Sequence, residues 1–311
     1  MKRLKMSQQI LTLSDGCEMY ISYCRQRNLR EATINHYRYS YKQLFNYFSA
    51  NMPLDSLTQD VYNGYVIYLK QRLTNDVSIN AYLRDLITTL HYLMQNEYMQ
   101  SFQMQSIRVD KKSVETYTDE ELHILLQKPN IRKCSFIEFE SWVISCLLFS
   151  TGIRQHSLME LKVKDVDFEN SLLNVRVTKT RKPLLLPLNQ SMISILKDFL
   201  KYRQHNSNDD WLFCNAYGNQ LKKSTSYHML YEYNKRRGIE TTGIHRYRHT
   251  FAKQWILNGG NVVTLSRLLG HSNLSTTQNY IHLLVSDISK QVDEINLLDK
   301  FGNKKYIKMR Q

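Results

Sequence analysis

The chain has 311 residues, 42% of them hydrophobic and 23% charged, with only 4 prolines and 10 glycines. At about 150 residues per domain this is chain enough for two domains with sizeable cores, and the composition excludes peptide hormones, stapled mini-proteins, collagen-like chains and low-complexity disorder. Lys and Arg number 42 against 28 Asp and Glu, a formal net charge of +14 that points to a polyanionic partner and says nothing of the fold.

Both halves carry the charge, with 14 basic against 10 acidic side chains through residue 116 and 28 against 18 beyond it. Met1 to Gln9 is positive like a signal peptide, but polar residues stand where its apolar stretch would begin. The longest apolar runs, such as Cys146 to Phe149, are far shorter than the roughly 20 residues of a membrane span. The five cysteines (Cys17, Cys24, Cys134, Cys146 and Cys214) are odd in number, widely spaced and without a C-x-x-C pair. That usage is expected of reduced thiols in a soluble, cytoplasmic protein.

From Ile10 to Glu97 the pattern is helical: Ile34, Tyr37, Tyr41, Leu44 and Phe48 fall on one face, while Arg38 and Lys42 fall elsewhere. Breaks near Asn28 to Arg30, Asn51 to Asp55 and Thr74 to Asp76 predict four helices in a first domain, residues 1–100. The periodicity is lost over 101–116, where Lys111-Lys112-Ser113 reads as a basic linker. Thr118-Asp119-Glu120-Glu121 is a capping-box signature and opens a second domain, 117–287.

Within that domain Trp142 to Phe149 is apolar nearly all round, as a central buried helix is, and Gly152 is placed to end it. A short helix is expected around Leu158. The runs Leu172 to Val177 and Leu184 to Leu188 then flank a polar Thr178 to Pro183, which predicts a hairpin with a basic tip. Helices are expected over 190–202, 224–237, 244–257 (closed by Gly259-Gly260) and 262–269 (closed by Gly270). The fold class is mainly α with a small antiparallel sheet.

Two segments concentrate Arg, His and Tyr near glycine-punctuated helix ends, where backbone N–H groups can meet anions. One is Thr151-Gly152-Ile153-Arg154. The other runs from His245-Arg246-Tyr247-Arg248-His249 through Leu268-Leu269-Gly270-His271 to Thr276-Thr277-Gln278-Asn279-Tyr280-Ile281-His282. His245 and Arg248 are three apart and share a helix face. Cutting a phosphodiester without a metal requires charged forks on the non-bridging oxygens, an acid for the leaving 5′ oxygen, and a nucleophile whose ester can be reversed. Arg154 and Arg248 suit the first task, Lys179 the second and Tyr280 the third. Taken singly, each has an ordinary structural reading as surface cation, solvated lysine or core tyrosine. His249 and His282 are read as structural.

In combination and order these segments resemble the tyrosine recombinase (phage integrase) family, and within it the short Xer-type members. Thr151 to Arg154 resembles the first arginine box. The Lys179 hairpin ending in Leu186-Pro187-Leu188 resembles the lysine hairpin, His245-x-x-Arg248-His249-Thr250 the second arginine box, and Gly270-His271 with Ser275 to His282 the nucleophile box. All six family positions are filled, by Arg154, Lys179, His245, Arg248, His271 and Tyr280. The family usually has a Glu three residues after the first arginine, and Ser157 stands there instead, which bears on the surroundings of the site more than on its reactants.

The resemblance implies a helical core-binding domain and an α+β catalytic domain clamped on double-stranded DNA, with steep salt dependence. It implies that Tyr280 attacks the scissile phosphate to give a 3′-phosphotyrosyl link, that Arg154 and Arg248 stabilise the transition state with His271 as a further donor, that Lys179 protonates the leaving oxygen, and that His245 handles the Tyr280 proton. The ester keeps the bond energy, so no cofactor and no metal is expected, nor a small-molecule substrate or membrane partner. A homotetramer on two recombination sites is implied, acting in integration or excision of a mobile element or in Xer-type resolution. The tail, 288–311, places Ile288, Val292, Ile295 and Leu298 on one helical stripe, and the resemblance favours its exchange between protomers. A metal-dependent nuclease would need clustered carboxylates that Glu160, Asp165 and Asp167 do not form, and His245-x-x-x-His249 lacks the intervening Glu of a zinc pair. A catalytically silent DNA-binding regulator on the same scaffold would be expected to have lost some of the six positions.

Overall fold

Thr12 opens the first helix with a capping box: its hydroxyl oxygen accepts the Asp15 N–H at 3.1 Å, and the Asp15 carboxylate accepts the Thr12 N–H at 3.0 Å. The computed structural model describes residues 10–109, 115–179, 181–240, 243–271, 273 and 277. The chain divides into two units, Met1–Lys112 and Ser113–Gln311.

The first unit holds α1 (Leu13–Gln26), α2 (Glu31–Leu44), a 3-10 turn at Leu54–Ser56, α3 (Gln59–Arg72) and α4 (Asp76–Gln95). The first and third breaks fall where the sequence places them, whereas α2 already ends at Leu44, ahead of the break expected at Asn51 to Asp55. Ile34, Tyr41 and Leu44 of the expected stripe are buried with Phe48 just beyond the helix, and Tyr37 packs beside them. Two polar contacts are set into this core: the Ser40 hydroxyl donates to the buried Asp85 carboxylate, and the Tyr41 and Thr89 hydroxyls lie 2.7 Å apart. The segment after α4 has no regular secondary structure, yet it is tied to this unit as far as Ile107. Asn80 pairs with both backbone groups of Ile107 at 2.7 and 2.9 Å, and the Tyr62 hydroxyl donates to the Gln105 carbonyl at 2.8 Å. Phe102, Met104 and Ile107 pack against its core.

The second unit opens at α5 (Asp119–Leu126), whose capping box pairs Thr118 with Glu121 as expected. It continues with α6 (Phe136–Thr151), α7 (Gln155–Met159), a 3-10 turn at Val163–Asp165, strands β1 (Val166–Asp167), β2 (Leu172–Val175) and β3 (Leu184–Pro187), and helices α8 (Gln190–Tyr202), α9 (Lys223–Lys235), α10 (Ile244–Leu257) and α11 (Val262–Leu268). The sheet is antiparallel in the order β1-β2-β3, with Leu173 opposite Leu186 and Val175 opposite Leu184. β1 is not expected from the sequence, because two residues are too few to show a period of two. α6 is the axis of the unit: Phe139, Trp142, Val143, Ile144, Leu147 and Leu148 are all buried, and α8, α9 and α10 pack around them. No helix of the described residues is long and apolar enough to cross a membrane. The amphipathic tail expected over 288–311 lies outside the described residues.

α6 also buries a carboxylate. Glu140 is 1% exposed and accepts the Cys214 N–H at 3.0 Å. Burial pushes its pKa up to about 7, against the smaller opposing effects of that N–H and of Arg203. A carboxylate whose folded pKa is raised gives its full stability below its unfolded value and loses it as pH rises through about 7. Glu140→Gln, which still offers Cys214 an acceptor, is therefore expected to match the wild type near pH 4.5. At pH 8 it is expected to exceed the wild type by on the order of a few kcal/mol. Thermal melts at the two pH values check this, and a gap that fails to widen with pH contradicts it.

Candidate active site

The first arginine box is made by the way α6 stops. Thr151 sends its hydroxyl back to the Leu147 carbonyl at 2.6 Å, and Gly152 then turns left-handed at φ 61°, its N–H returning to the Leu148 carbonyl at 2.9 Å. Space as well as conformation requires glycine there. A Cβ on Gly152 would stand 2.6 Å from Phe251 Cδ1 and 2.8 Å from Leu269 Cδ2. Gly152→Ala is accordingly expected to cost about 1–3 kcal/mol from the backbone alone, with overpacking added. Chemical denaturation reads this directly, and a change within 0.5 kcal/mol would mean the turn relaxes freely. Arg154 follows as the residue that opens α7.

The second box is brought opposite by α10 and α11. Arg248, on α10, is 5% exposed, and its burial is offset by backbone oxygens: Nη1 donates to the Gly152 carbonyl at 2.7 Å and Nη2 to the Leu269 carbonyl at 2.8 Å. α11 ends at Leu268, and Gly270 turns left-handed at φ 59°. Its carbonyl receives both terminal nitrogens of Arg154 at 3.3 Å. Each arginine is thus anchored at the helix stop of the other box. Neither can be placed unless both stops form.

His271 follows Gly270. Its Nε2 lies 2.8 Å from Arg248 Nη2 and its Nδ1 lies 2.8 Å from the Thr277 hydroxyl oxygen. Burial first, then Arg248 and Arg154, hold its pKa down to about 4, so the ring is neutral at physiological pH. His245 stands in the first turn of α10 with its side chain well exposed. The crowding around its ring, then Arg248, Lys223 and Arg154, still lower its pKa. His249 is half-buried, and burial, His245 and Arg248 bring it down to about 4. His271 is therefore uncharged among fixed cations, and the same two arginines also lower the pKa of His245.

A pocket of about 650 Å³ opens between these parts, and Arg154, Arg248, Gly270 and His271 line it. The loop between β2 and β3 forms one wall through Thr178, Lys182 and Pro183, with the Thr178 hydroxyl donating to the Lys182 carbonyl at 2.6 Å. Lys179 stands exposed on that loop and is not among the lining residues. Ser157, where the sequence departs from the family pattern, is buried and faces the pocket. Sequence reasoning does not single out three further residues, Arg267 and Lys182 on the pocket wall and Thr277 on His271, although Lys182 lies in the basic hairpin tip and Thr277 in the nucleophile box. Arg267 would have been flagged only by helix register, three residues before Gly270. Tyr280 and His282 lie outside the described residues. No group of three metal-ligating side chains occurs among the described residues.

The model of the phage integrase family matches residues 115–286, and that of the phage integrase SAM-like domain matches residues 15–112. The chain is 29% identical to tyrosine recombinase XerA of Pyrococcus furiosus over 228 residues, which is 71% of this chain and 75% of that protein. It is 25% identical to tyrosine recombinase XerD of Listeria innocua over 285 residues, 86% of this chain and 94% of that protein. Among solved structures it is similar in fold to the XerH site-specific recombinase bound to a palindromic difH substrate, with a TM-score of 0.71 at 22% identity over 90% of this chain and 84% of that one. The Tn1549 transposon integrase in complex with transposon right-end DNA gives 0.71 at 20% identity, over 92% of this chain and 100% of that one.

Proposed function

The chain belongs to the phage integrase family and is a site-specific DNA recombinase of the tyrosine class; from that premise we propose that it cuts and rejoins duplex DNA through a 3′-phosphotyrosyl link on Tyr280. One observation carries this reading. Two guanidinium groups, each anchored at the other's helix stop, converge with a neutral histidine on one pocket. Two fixed forks on a shared concavity suit a phosphate that gains charge as it becomes pentacoordinate.

In the proposed step the Tyr280 oxygen forms a bond to the scissile phosphorus, and the bond to the 5′ oxygen breaks. The phenol proton passes to His245, whose lowered pKa leaves it neutral and able to accept. Lys179, on the exposed hairpin, supplies the proton that makes the leaving group a 5′-hydroxyl. Arg154 and Arg248 take the charge on the non-bridging oxygens. Attack by a 5′-hydroxyl from the exchanging strand reverses each transfer and regenerates Tyr280, so the ester conserves the bond energy and no nucleotide cofactor enters the balance.

The helical unit then serves as the core-binding domain, extended past residue 100 to Ile107 because that stretch is held on its core, followed by the remaining linker to residue 116, the catalytic domain 117–287 and the tail 288–311. Exchange between two duplexes cuts four strands, and each chain brings one Tyr280, so the active assembly is a homotetramer on two sites. Its task is integration or excision of a mobile element, or Xer-type resolution, on cytoplasmic DNA.

The test starts with duplexes selected from a randomised pool by retention on the protein. Two plasmid copies of the selected site are expected to recombine in EDTA. A protein that binds the site and leaves both plasmids unchanged is a regulator instead.

A further inference from the structure

Arginine has donors only, so the Arg248 nitrogen 2.8 Å from His271 Nε2 requires that nitrogen to be the acceptor. The proton of the neutral ring is then on Nδ1, and the Thr277 oxygen at 2.8 Å must accept it. Thr277 is fully buried, so an Nδ1–H without that partner would have no water to turn to. We propose that Thr277 is a positioning residue, whose hydroxyl oxygen fixes the tautomer of His271 and so makes Nε2 the acceptor that aims the Arg248 fork into the pocket. The inference rests on the recombinase reading for its functional consequence, but the tautomer itself does not.

The arrangement has a second consequence. Arg248 is held at Gly152, at Leu269 and at His271, and the last of these holds depends on a residue three positions before Tyr280. The fork is thus set by the segment that carries the proposed nucleophile as well as by the two helix stops. Donation from His271 to a phosphate oxygen requires Nε2 to release Arg248 and take up a proton. In the arrangement seen, His271 would act on a bound phosphate through the arginine.

The experiment uses the full chain labelled with ¹⁵N-histidine, the His271 signals being assigned by their loss in His271→Gln. In the wild type at pH 7 Nδ1 is expected to carry the proton and Nε2 to be bare. Nε2–H as the main tautomer overturns the proposal. Thr277→Val keeps the shape and removes the acceptor. It is expected to mix or invert the tautomer and to lower single-turnover cleavage at saturating DNA by roughly ten- to a hundredfold, the scale on which partners that orient a ligand act. DNA affinity should be unchanged, and Thr277→Ser should restore both tautomer and rate. A Val variant with the wild-type tautomer and rate also overturns it. If Thr277→Val does not fold, the wild-type spectrum and the Ser variant still decide. A wild-type protein that shows the Nδ1–H tautomer but never cleaves DNA would sink the recombinase reading and leave the tautomer standing.

Discussion

Tyr280→Phe is expected to bind DNA as the wild type does and never to become joined to it. A nicked suicide substrate, which loses the strand needed for religation, traps the covalent intermediate, so the yield of protein–DNA adduct reads the nucleophile directly. The substitution removes one hydroxyl from a chain with 42 Lys and Arg, and phosphate contacts of that kind dominate affinity. Catalysis has no such redundancy. A phenol of pKa about 10 needs a proton acceptor and nearby cations to attack at neutral pH, the roles proposed above for His245 and the two arginines. Loss of the nucleophile is expected to lower cleavage by roughly a millionfold, as removal of a serine nucleophile does in a protease. Covalent capture by the Phe variant would assign the chemistry to another residue.

Arg248→Ala is expected to lower single-turnover cleavage by at least roughly 10²–10³-fold, the effect of removing one preorganised donor to a developing oxyanion. Arg154→Ala should fall in the same range for cleavage, but the two should differ in stability. Arg248 is 5% exposed and satisfies the Gly152 and Leu269 carbonyls, so its loss leaves buried acceptors without donors. Arg154 is less buried and is held at the Gly270 carbonyl. Arg248→Ala is therefore expected to lower the melting temperature measurably and Arg154→Ala much less. Half-site affinity should change little in either. If affinity and cleavage fell in proportion, both arginines would be positioning the DNA and not stabilising the transition state.

Local signals carried much of the fold. Two of the three helix breaks of the first unit, the capping box at Thr118, the left-handed stop at Gly152 and the bounds of α8 and α10 follow from capping residues and periodicity over a single element. What the sequence hides depends on tertiary contact. Residues 101–107 read as linker because Phe102, Met104 and Ile107 keep no helical period, yet Asn80 and Tyr62 hold that stretch by its backbone. α9 starts one residue before its expected first residue and ends two residues before its expected last. Arg154, Arg248 and His271 were legible by their place in the boxes, and the structure brings these three together. Their anchoring was not legible: an arginine held by the carbonyl of a glycine some hundred residues away leaves no local trace. Thr277 stands in the nucleophile box, but nothing local marks it as the partner of His271 until the fold sets the two together.

The central claim is a covalent link of defined polarity on one residue. Adduct trapped on a suicide substrate in EDTA, digested with protease and nuclease and analysed by mass spectrometry, is expected to give a single modified peptide carrying a 3′-phosphonucleotide on Tyr280, with a free 5′-hydroxyl on the released strand. A link on any other residue, a 5′-phosphate linkage, or cleavage that leaves no adduct would contradict it.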